Sequence, residues 1–480
     1  MAAGIVAWGV YLPYWRLERS AIGAALGGAA GTGTRAVASY DEDTTSMGVE
    51  AARRALVTPG LPAPGGLLFA TANPAYQDKT NATAIHAALG LRSCVGAYDL
   101  AGSVRSAWAA VAAGQTRAML GGNPLVVVAD LRTGLPGSSD EREGGDGAAA
   151  FLFTSQGAVA EIVASAASTG EFLDRWRAPG EDGSHVWEER FGEQAYVPLA
   201  HEAFADALKQ ADVTPDGIDH LVVAGLHTRA AKAVAASVGV RREALAPDLG
   251  VTLGNLGAAQ VGVALADVLE RATPGQVIVV VALADGADVV VLRTTAALPA
   301  AQAARRAAGV PTVAAGLAGG RRDLSYPAFL TWRGQLHREP PRRPDPDRPA
   351  APPSRRSEGW KFGFNASRCL RCGTRHLPPT RVCVSCQAID EMEPERLADV
   401  LGTVATFTVD RLAYSLSPPV VFGVVDFDGG GRYQCEMTDV DPEAVRIGDR
   451  VEMTFRRLFS AGGVHNYFWK AKPLASEGSI

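Results

Sequence analysis

Four cysteines in two matched pairs constrain this chain more than any other feature: Cys369 with Cys372 and Cys383 with Cys386, two residues inside each pair and ten between the pairs. Such a turn presents two thiolates to one side, and two turns together complete a tetrahedral shell, so the spacing reads as one ribbon-type metal site. Gly373 follows the first pair, where a tight turn needs a residue without a Cβ. Four thiolates leave no position for water or substrate, and the expected ion is zinc in a structural role. Two disulfides or free thiols are the competing readings, which a reducing compartment and the paired spacing disfavour. Met1 to Leu12 lacks the charged flank, apolar core and cleavage site of a secretory signal, and no apolar run reaches the length of a membrane span. A cytoplasmic protein without a membrane partner is therefore expected. The other two cysteines, Cys94 and Cys435, stand alone.

A chain of 480 residues exceeds the size at which a single core stops growing, so two or more domains are expected. The net charge of −5 and the absence of a long basic run argue against nucleic acid or a membrane surface and favour a small-molecule ligand. From Gly4 to about Thr295, β-type runs at Gly66–Thr71, Pro124–Asp130, His220–Gly225 and Gln276–Leu283 alternate with Ala-rich helical stretches. Those stretches are Met47–Leu56, Asn81–Leu89, Ala101–Ala113, Ala230–Val238 and Leu256–Arg271. The alternation marks a mixed α/β layer fold. A weak repeat points to duplication: Asp146, Gly147, Ala148 lead into one apolar run, and Asp285, Gly286, Ala287 lead into another. After Leu298 the strand pattern fades, and Glu339–Ser357, rich in Pro and Arg, reads as an extended linker. Short β-runs return at Gly402–Val409, Val420–Phe427, Arg432–Thr438 and Arg450–Arg457, a spacing typical of a small barrel. The expected map is an α/β domain over 1–298, a connecting segment over 299–362, a zinc ribbon over 363–396 and a barrel over 397–480.

From Tyr326 to about Pro473 the chain resembles the zinc-ribbon/OB family called domain of unknown function 35. The carriers are the helix-like lead-in Tyr326–Leu336, the cysteine quartet and the closing pattern Val445, Arg446, Ile447, Gly448, Asp449, Arg450, Val451. Members accompany acyl-CoA thiolases and synthases, so the resemblance implies an OB-type barrel that helps seat an acyl-CoA or close a channel, and a thiolase-family partner. The acidic run Cys435–Glu443 and the lack of an aromatic and basic stripe argue against nucleic acid as the barrel's ligand. From Gly4 to Thr295 the chain resembles archaeal and bacterial hydroxymethylglutaryl-CoA synthases of the thiolase superfamily. Its carriers include Gly4–Pro13, Asp41 to Thr44, Gly145–Ala148, Arg175 to Arg177, Trp187–Phe191, His227 and Gly254–Gly257. That resemblance implies a duplicated thiolase-like layered α/β fold, a coenzyme A thioester as substrate and a homodimer.

The resemblance breaks at the chemistry. In that family a cysteine at the head of a buried helix attacks the thioester, and here the matching stretch Asp99–Arg105 places Val104 in that register, with Ser103 the nearest hydroxyl. The family's acid/base glutamate is also missing, since Ala72 stands at its expected place within Ala70–Tyr76. Cys94 lies on the strand side of Asp99 and reads as a buried small hydrophobe. His227 and Asn255 remain, and by resemblance they hold the thioester carbonyl as oxyanion donors. Gly254 and Gly257 frame that site or simply form a turn and helix cap, while Arg229 and Lys232 read either as charges for the CoA phosphates or as a solvated helix face. Tyr76, Asp78, Asp99 and His86 are the candidate acids and bases that would replace the lost pair. Three functions follow: an aldol or retro-aldol enzyme on β-hydroxyacyl- or β-ketoacyl-CoA, a non-catalytic CoA-binding scaffold subunit, or a Claisen acyltransferase using Ser103.

Overall fold

The computed structural model describes residues 3–28, 31–342, 344 and 346–474. Residues 1–2, 29–30, residues 343 and 345 of the expected linker and residues 475–480 lie outside the described residues. Two compact units emerge, the first gathering the chain up to Ala38, Glu50–Thr83 and Ser93–Tyr326.

That first unit is built on one nine-stranded sheet. In chain order its strands are β1 (Gly4–Tyr11), β2 (Gly66–Thr71), β3 (Gly96–Ala101), β4 (Pro124–Leu131), β5 (Asp146–Thr154), β6 (Ala160–Thr169), β7 (His220–Gly225), β8 (Val277–Leu283) and β9 (Gly286–Thr294). Their spatial order is β7-β8-β9-β6-β1-β5-β4-β2-β3. Runs such as β8, with five of its seven residues Val or Ile, are buried along nearly their whole length, as strands covered on both faces must be. The seam between β1 and β6 is short, Gly4 opposite Glu161 and Ile5 opposite Ala160. Outward from that seam, β1-β5-β4-β2 on one side mirrors β6-β9-β8-β7 on the other, and each side runs antiparallel, antiparallel, parallel. The weak repeat in the sequence thus marks equivalent places, the heads of β5 and β9, in two copies of one topology. Only β3 lacks a counterpart.

The helices that matter for the site are α1 (Thr44–Leu56), α2 (Ala82–Ala88), α3 (Ser106–Met119), α4 (Glu189–Ala211), α5 (Thr228–Ser237) and α6 (Gln260–Arg271). Helices α3 and α6 precede the equivalent strands β4 and β8 and feed one shared core with them. In α6 seven of twelve residues are buried, from Gly262 to Leu269, which is the signature of an inner helix. The sequence pattern starts α3 too early, at Ala101. Ala101 ends β3, and Gly102, at φ +126°, turns the chain through a conformation that an α-helix cannot include.

The second unit collects Ser39–Val49, Ala84–Arg92 and the chain from Pro327 onward. Its ribbon is a three-stranded sheet of β10 (Asn365–Cys369), β11 (Arg375–His376) and β12 (Met392–Arg396). Five further strands, β13 (Gly402–Asp410), β14 (Val420–Phe427), β15 (Arg432–Met437), β16 (Arg450–Ala461) and β17 (Val464–Pro473), close a barrel in the order β13-β14-β15-β17-β16. The sequence pattern does not mark β17 because a lysine, Lys470, sits fully buried among Tyr467, Trp469 and Ala471 and blurs the alternation. The expected linker is not extended throughout. Ala351–Arg356 form a helical turn, with prolines at the start where a missing N–H is harmless.

A buried ionic network explains Lys470. Its Nζ lies 2.9 Å from Asp41 Oδ2 and 3.0 Å from Glu436 Oε2. Arg456, also fully buried, sits 2.5 Å from both Glu42 Oε1 and Asp439 Oδ2. Thr438 donates its hydroxyl to Asp41 at 3.0 Å, and Tyr467 donates its own to Asp43 at 2.6 Å. The acidic stretch Asp41–Asp43 is thus a partner of barrel strands within this unit. Such charges are tolerable away from water only when each finds an opposite charge and hydrogen bonds, and here they do.

Candidate functional site

The amino-terminal ends of α3 and α6 converge on one cleft of about 370 Å³ in the first unit. Val104 and Arg105 line it from the turn before α3 and Ala107 and Trp108 from α3 itself, Gly257 and Ala258 from the turn before α6 and Gln260 and Val261 from α6, while Gly225 and Leu226 close it at the end of β7. Two helix starts aimed at one space lend it positive potential, each end equivalent to roughly half a charge, while their N–H groups are already bonded, those of Ser106, Ala107 and Trp108 to the carbonyls of Ser103, Val104 and Arg105 and those of Gly257 and Ala258 to Asn255 and Asp130. Val104, at the register where a nucleophile would stand, faces this cleft. Ser103 is exposed in the preceding turn, and its carbonyl accepts from the Ser106 N–H at 3.1 Å.

His227 and Asn255 flank the same strand end. His227 caps α5: the Ala230 N–H donates to its Nδ1 at 3.0 Å, so the ring proton sits on Nε2 and donates to the Glu189 carbonyl at 2.9 Å. Asp174, buried beside it, places Oδ1 at 4.0 Å from Nε2. Asn255 donates Nδ2–H to the Gly225 carbonyl at 2.7 Å and accepts from the Gly257 N–H at 3.0 Å. Gly254 (φ +78°) and Gly257 (φ +55°) have reasons beyond conformation, since an added Cβ would lie 2.3 Å from the Gly144 oxygen at the first and 2.1 Å from Asp130 Oδ2 at the second. Arg229 pairs with Glu193, and Lys232 is exposed on α5.

The remaining sequence candidates divide. Asp99 accepts from the Asn81 and Ala82 N–H groups at 2.6 and 2.7 Å, which makes it an anchor for the start of α2. Asn81 in turn brackets Tyr76, accepting its N–H at 3.0 Å and donating to its carbonyl at 2.9 Å. His86 meets the Arg92 carbonyl at 3.1 Å, Asp78 is exposed, and Cys94 is exposed rather than buried, because it sits in the turn before β3. Ala72 is buried, and its carbonyl accepts from Arg177 Nη2 at 3.2 Å.

Sequence reasoning missed three groups. Asp288, on β9, is the one carboxylate lining the cleft; burial raises its pKa, against the pull of Arg105, whose Nε lies 2.9 Å away. Arg105 also donates to the Asp285 carbonyl at 2.8 Å and the Thr169 hydroxyl at 2.9 Å, fixing the head of α3. Asp130, fully buried at the end of β4, accepts from the Ala258 N–H at 3.0 Å, and burial raises it despite Arg132. A lone carboxylate closing an otherwise apolar run was the available signal for Asp130; nothing in the sequence brings Arg105 and Asp288 together.

In the second unit the four cysteine sulfurs lie within 4.8 Å of one another and could hold a metal ion. Cys369 Sγ stands 3.6 Å from Cys386 Sγ, and Cys372 Sγ 3.5 Å from Cys383 Sγ. A tetrahedron with metal–sulfur bonds of about 2.3 Å has edges of about 3.8 Å, so the donor set fits. The Cys386 N–H points at Cys383 Sγ, 3.4 Å away, as a knuckle turn requires.

Comparison with known proteins agrees with this fold. The family profile for the carboxy-terminal domain of 3-oxoacyl-(acyl-carrier-protein) synthase III matches residues 208–292, and that for the ChsH2 C-terminal OB-fold domain matches residues 396–456. A hydroxymethylglutaryl-CoA synthase of Caldivirga maquilingensis is 31% identical over 313 residues, covering 62% of this chain and 90% of that protein. A DUF35 domain-containing scaffold protein of Methanocaldococcus jannaschii is 34% identical over 112 residues, 22% of this chain and 79% of that one. The crystal structure of an HMG-CoA synthase complexed with CoA aligns at a TM-score of 0.59 with 17% identity, over 69% of this chain and 90% of that one. Fold and cleft together define a thiolase-like α/β protein followed by an OB-fold domain. The chain belongs to the hydroxymethylglutaryl-CoA synthase family and carries a DUF35-type domain at its carboxy-terminal end. Among the described residues no helix is long and apolar enough to cross a membrane.

Proposed function

We propose that this protein makes or breaks a carbon–carbon bond beside a thioester carbonyl without forming a thiol-bound acyl group. The observation that carries the reading is Val104 at the head of α3, in a cleft where two helix amino-termini meet and no sulfur is present. In the cleavage direction the substrate is a β-hydroxyacyl-CoA. Asp288 takes the hydroxyl proton, the carbon–oxygen bond becomes a carbonyl, and the electron pair of the breaking carbon–carbon bond moves into the thioester as an enolate. Its oxygen is stabilised by the helix ends, by the Asn255 N–H that does not go to Gly225 and by His227 once its Nε2–H is given up by the Glu189 carbonyl, and a proton returns to the α-carbon to release acyl-CoA and an aldehyde or ketone. Arg105 holds Asp288 in place; Arg229 and Lys232 remain candidates for the CoA phosphates. The four cysteines hold zinc that only stabilises the ribbon. This reading carries with it a cytoplasmic homodimer and a thiolase-family partner.

A second reading, a CoA-binding scaffold subunit, is favoured by a specific observation: both ring nitrogens of His227 and both ends of the Asn255 amide already serve the protein itself. The scaffold relative from Methanocaldococcus jannaschii points the same way for the last domain. A panel of β-hydroxyacyl- and β-ketoacyl-CoA thioesters, followed by mass, separates the two. Under the enzyme reading wild type cleaves one class, Asp288→Asn loses at least a hundredfold in kcat, and Asn255→Ala loses turnover at a temperature well below its own lowered melting temperature, where the protein is still folded. No turnover by wild type across the panel, with CoA still bound, selects the scaffold. An acyl adduct on Ser103 would instead select the Claisen route.

A further inference from the structure

Most hydrogen-bond donors around the cleft already serve the fold. Arg105 gives Nε to Asp288, Nη1 to the Asp285 carbonyl and Nη2 to Thr169, while His227 gives Nε2–H to Glu189 and Asn255 has one N–H left. Gln260 differs. It is the first residue of α6, lines the cleft and is half-buried. The Leu256 N–H donates to its Oε1 at 2.9 Å. Only the oxygen of a carboxamide can accept from a backbone N–H, so this bond decides which end of the amide is which. Leu256 is fully buried and is not among the cleft walls, so the oxygen is held on the protein side and the NH2 group is turned the other way. Among the described residues that NH2 group has no partner.

We propose, on the reading of the cleft as a thioester site, that Gln260 is an oxyanion donor: its Nε2–H meets the thioester oxygen as negative charge develops there. The anchor at Leu256 keeps the amide from turning, so the donor stands in place before the charge appears, which is what makes such a group effective. The positive end of α6 acts on the same oxygen. Capping the turn before α6 does not account for the residue. Glutamate would accept from Leu256 equally well and would suit a helix start better, so what the amide adds is the donor.

Gln260→Glu tests this in the full-length protein, because the carboxylate still accepts from Leu256 while it removes the donor and sets negative charge against the oxyanion. Turnover is one readout, and the infrared carbonyl band of bound acetyl-CoA, labelled with carbon-13 at the thioester, is the other. The expected result is a fall of about a hundredfold or more in kcat with little change in KM, and a carbonyl band at higher frequency on the variant than on wild type. Gln260→Met, which removes the donor without adding charge, should move the band the same way. Turnover equal to wild type, or equal bands in all three proteins, would overturn the donor and leave the carbon–carbon bond reading standing. A band shift in a protein that turns nothing over would uphold the donor and overturn that reading. Failure of wild type to bind acetyl-CoA would overturn both.

Discussion

Replacing Asp41 with asparagine tests the physical account of the second unit. Asp41 is fully buried and accepts from Lys470 Nζ at 2.9 Å and the Thr438 hydroxyl at 3.0 Å, with Arg456 Nη1 at 3.5 Å. Asparagine keeps the shape and can still accept from Thr438, so the change removes one negative charge from between two buried cations. Breaking a buried pair by deleting one partner costs about 3–5 kcal/mol, and because Lys470 keeps Glu436 at 3.0 Å the low end applies, about 3 kcal/mol. That is about two decades in an opening equilibrium. Hydrogen exchange in β16 and β17 reads this opening locally, independent of the first unit, and should accelerate about a hundredfold. The exposed pair of Arg381 and Asp390 is the control, and Asp390→Asn should leave those rates where they are. The same carboxylate sets a pH dependence. Burial alone would raise Asp41, but Lys470 and Arg456 outweigh it and hold the folded value below the ordinary one of about 3.9. Its contribution is therefore complete above the unfolded value and disappears as pH falls through the folded one. An acceleration under threefold at neutral pH would mean that Lys470 is neutralised by other groups and that Asp41 does not hold the barrel.

Three further outcomes follow from single contacts. Stripping the four-cysteine site with a strong chelator should release the ribbon, seen as new proteolytic cleavage between Phe364 and Arg396, and zinc added back should restore protection; unchanged protection would point to a fold that stands without metal. Gly257→Ala should cost about 2 kcal/mol or more, since it combines φ +55° with a Cβ 2.1 Å from Asp130, and a melting temperature equal to wild type would show the loop to be adaptable. Asp99→Ala should lower stability by about 1 kcal/mol through loss of the α2 anchor; a fall in turnover far beyond that effect would restore Asp99 to the reaction.

The strands were legible in the sequence wherever burial on both faces forced an unbroken apolar run. Gly66–Thr71 and His220–Gly225 have the limits their patterns mark, as does the barrel strand Val420–Phe427, where only one face is covered. The duplication was legible too, because a tripeptide recurring before two apolar runs had to recur in space once the halves mirrored each other. What the pattern concealed are places where charge stands inside. Lys470 interrupts β17 because its partner Asp41 is 429 positions away in the chain, and no local rule links them. Asp99 looked like an acid in search of a reaction, yet the N–H groups of Asn81 and Ala82 need an acceptor, and a helix start takes the nearest carboxylate.

The candidate site divides along the same line. Val104, Gly254 and Gly257 could be placed from the chain because backbone register and a missing Cβ are local facts. Arg105 and Asp288 could not, since their contact depends on β9 passing beside the head of α3. The helix ends, which exist for backbone reasons alone, keep their potential whatever side chain stands between them. If Asp288→Asn and Asn255→Ala both left turnover intact, that potential would be serving a bound ligand and not a transition state, and the cleft would belong to a carrier.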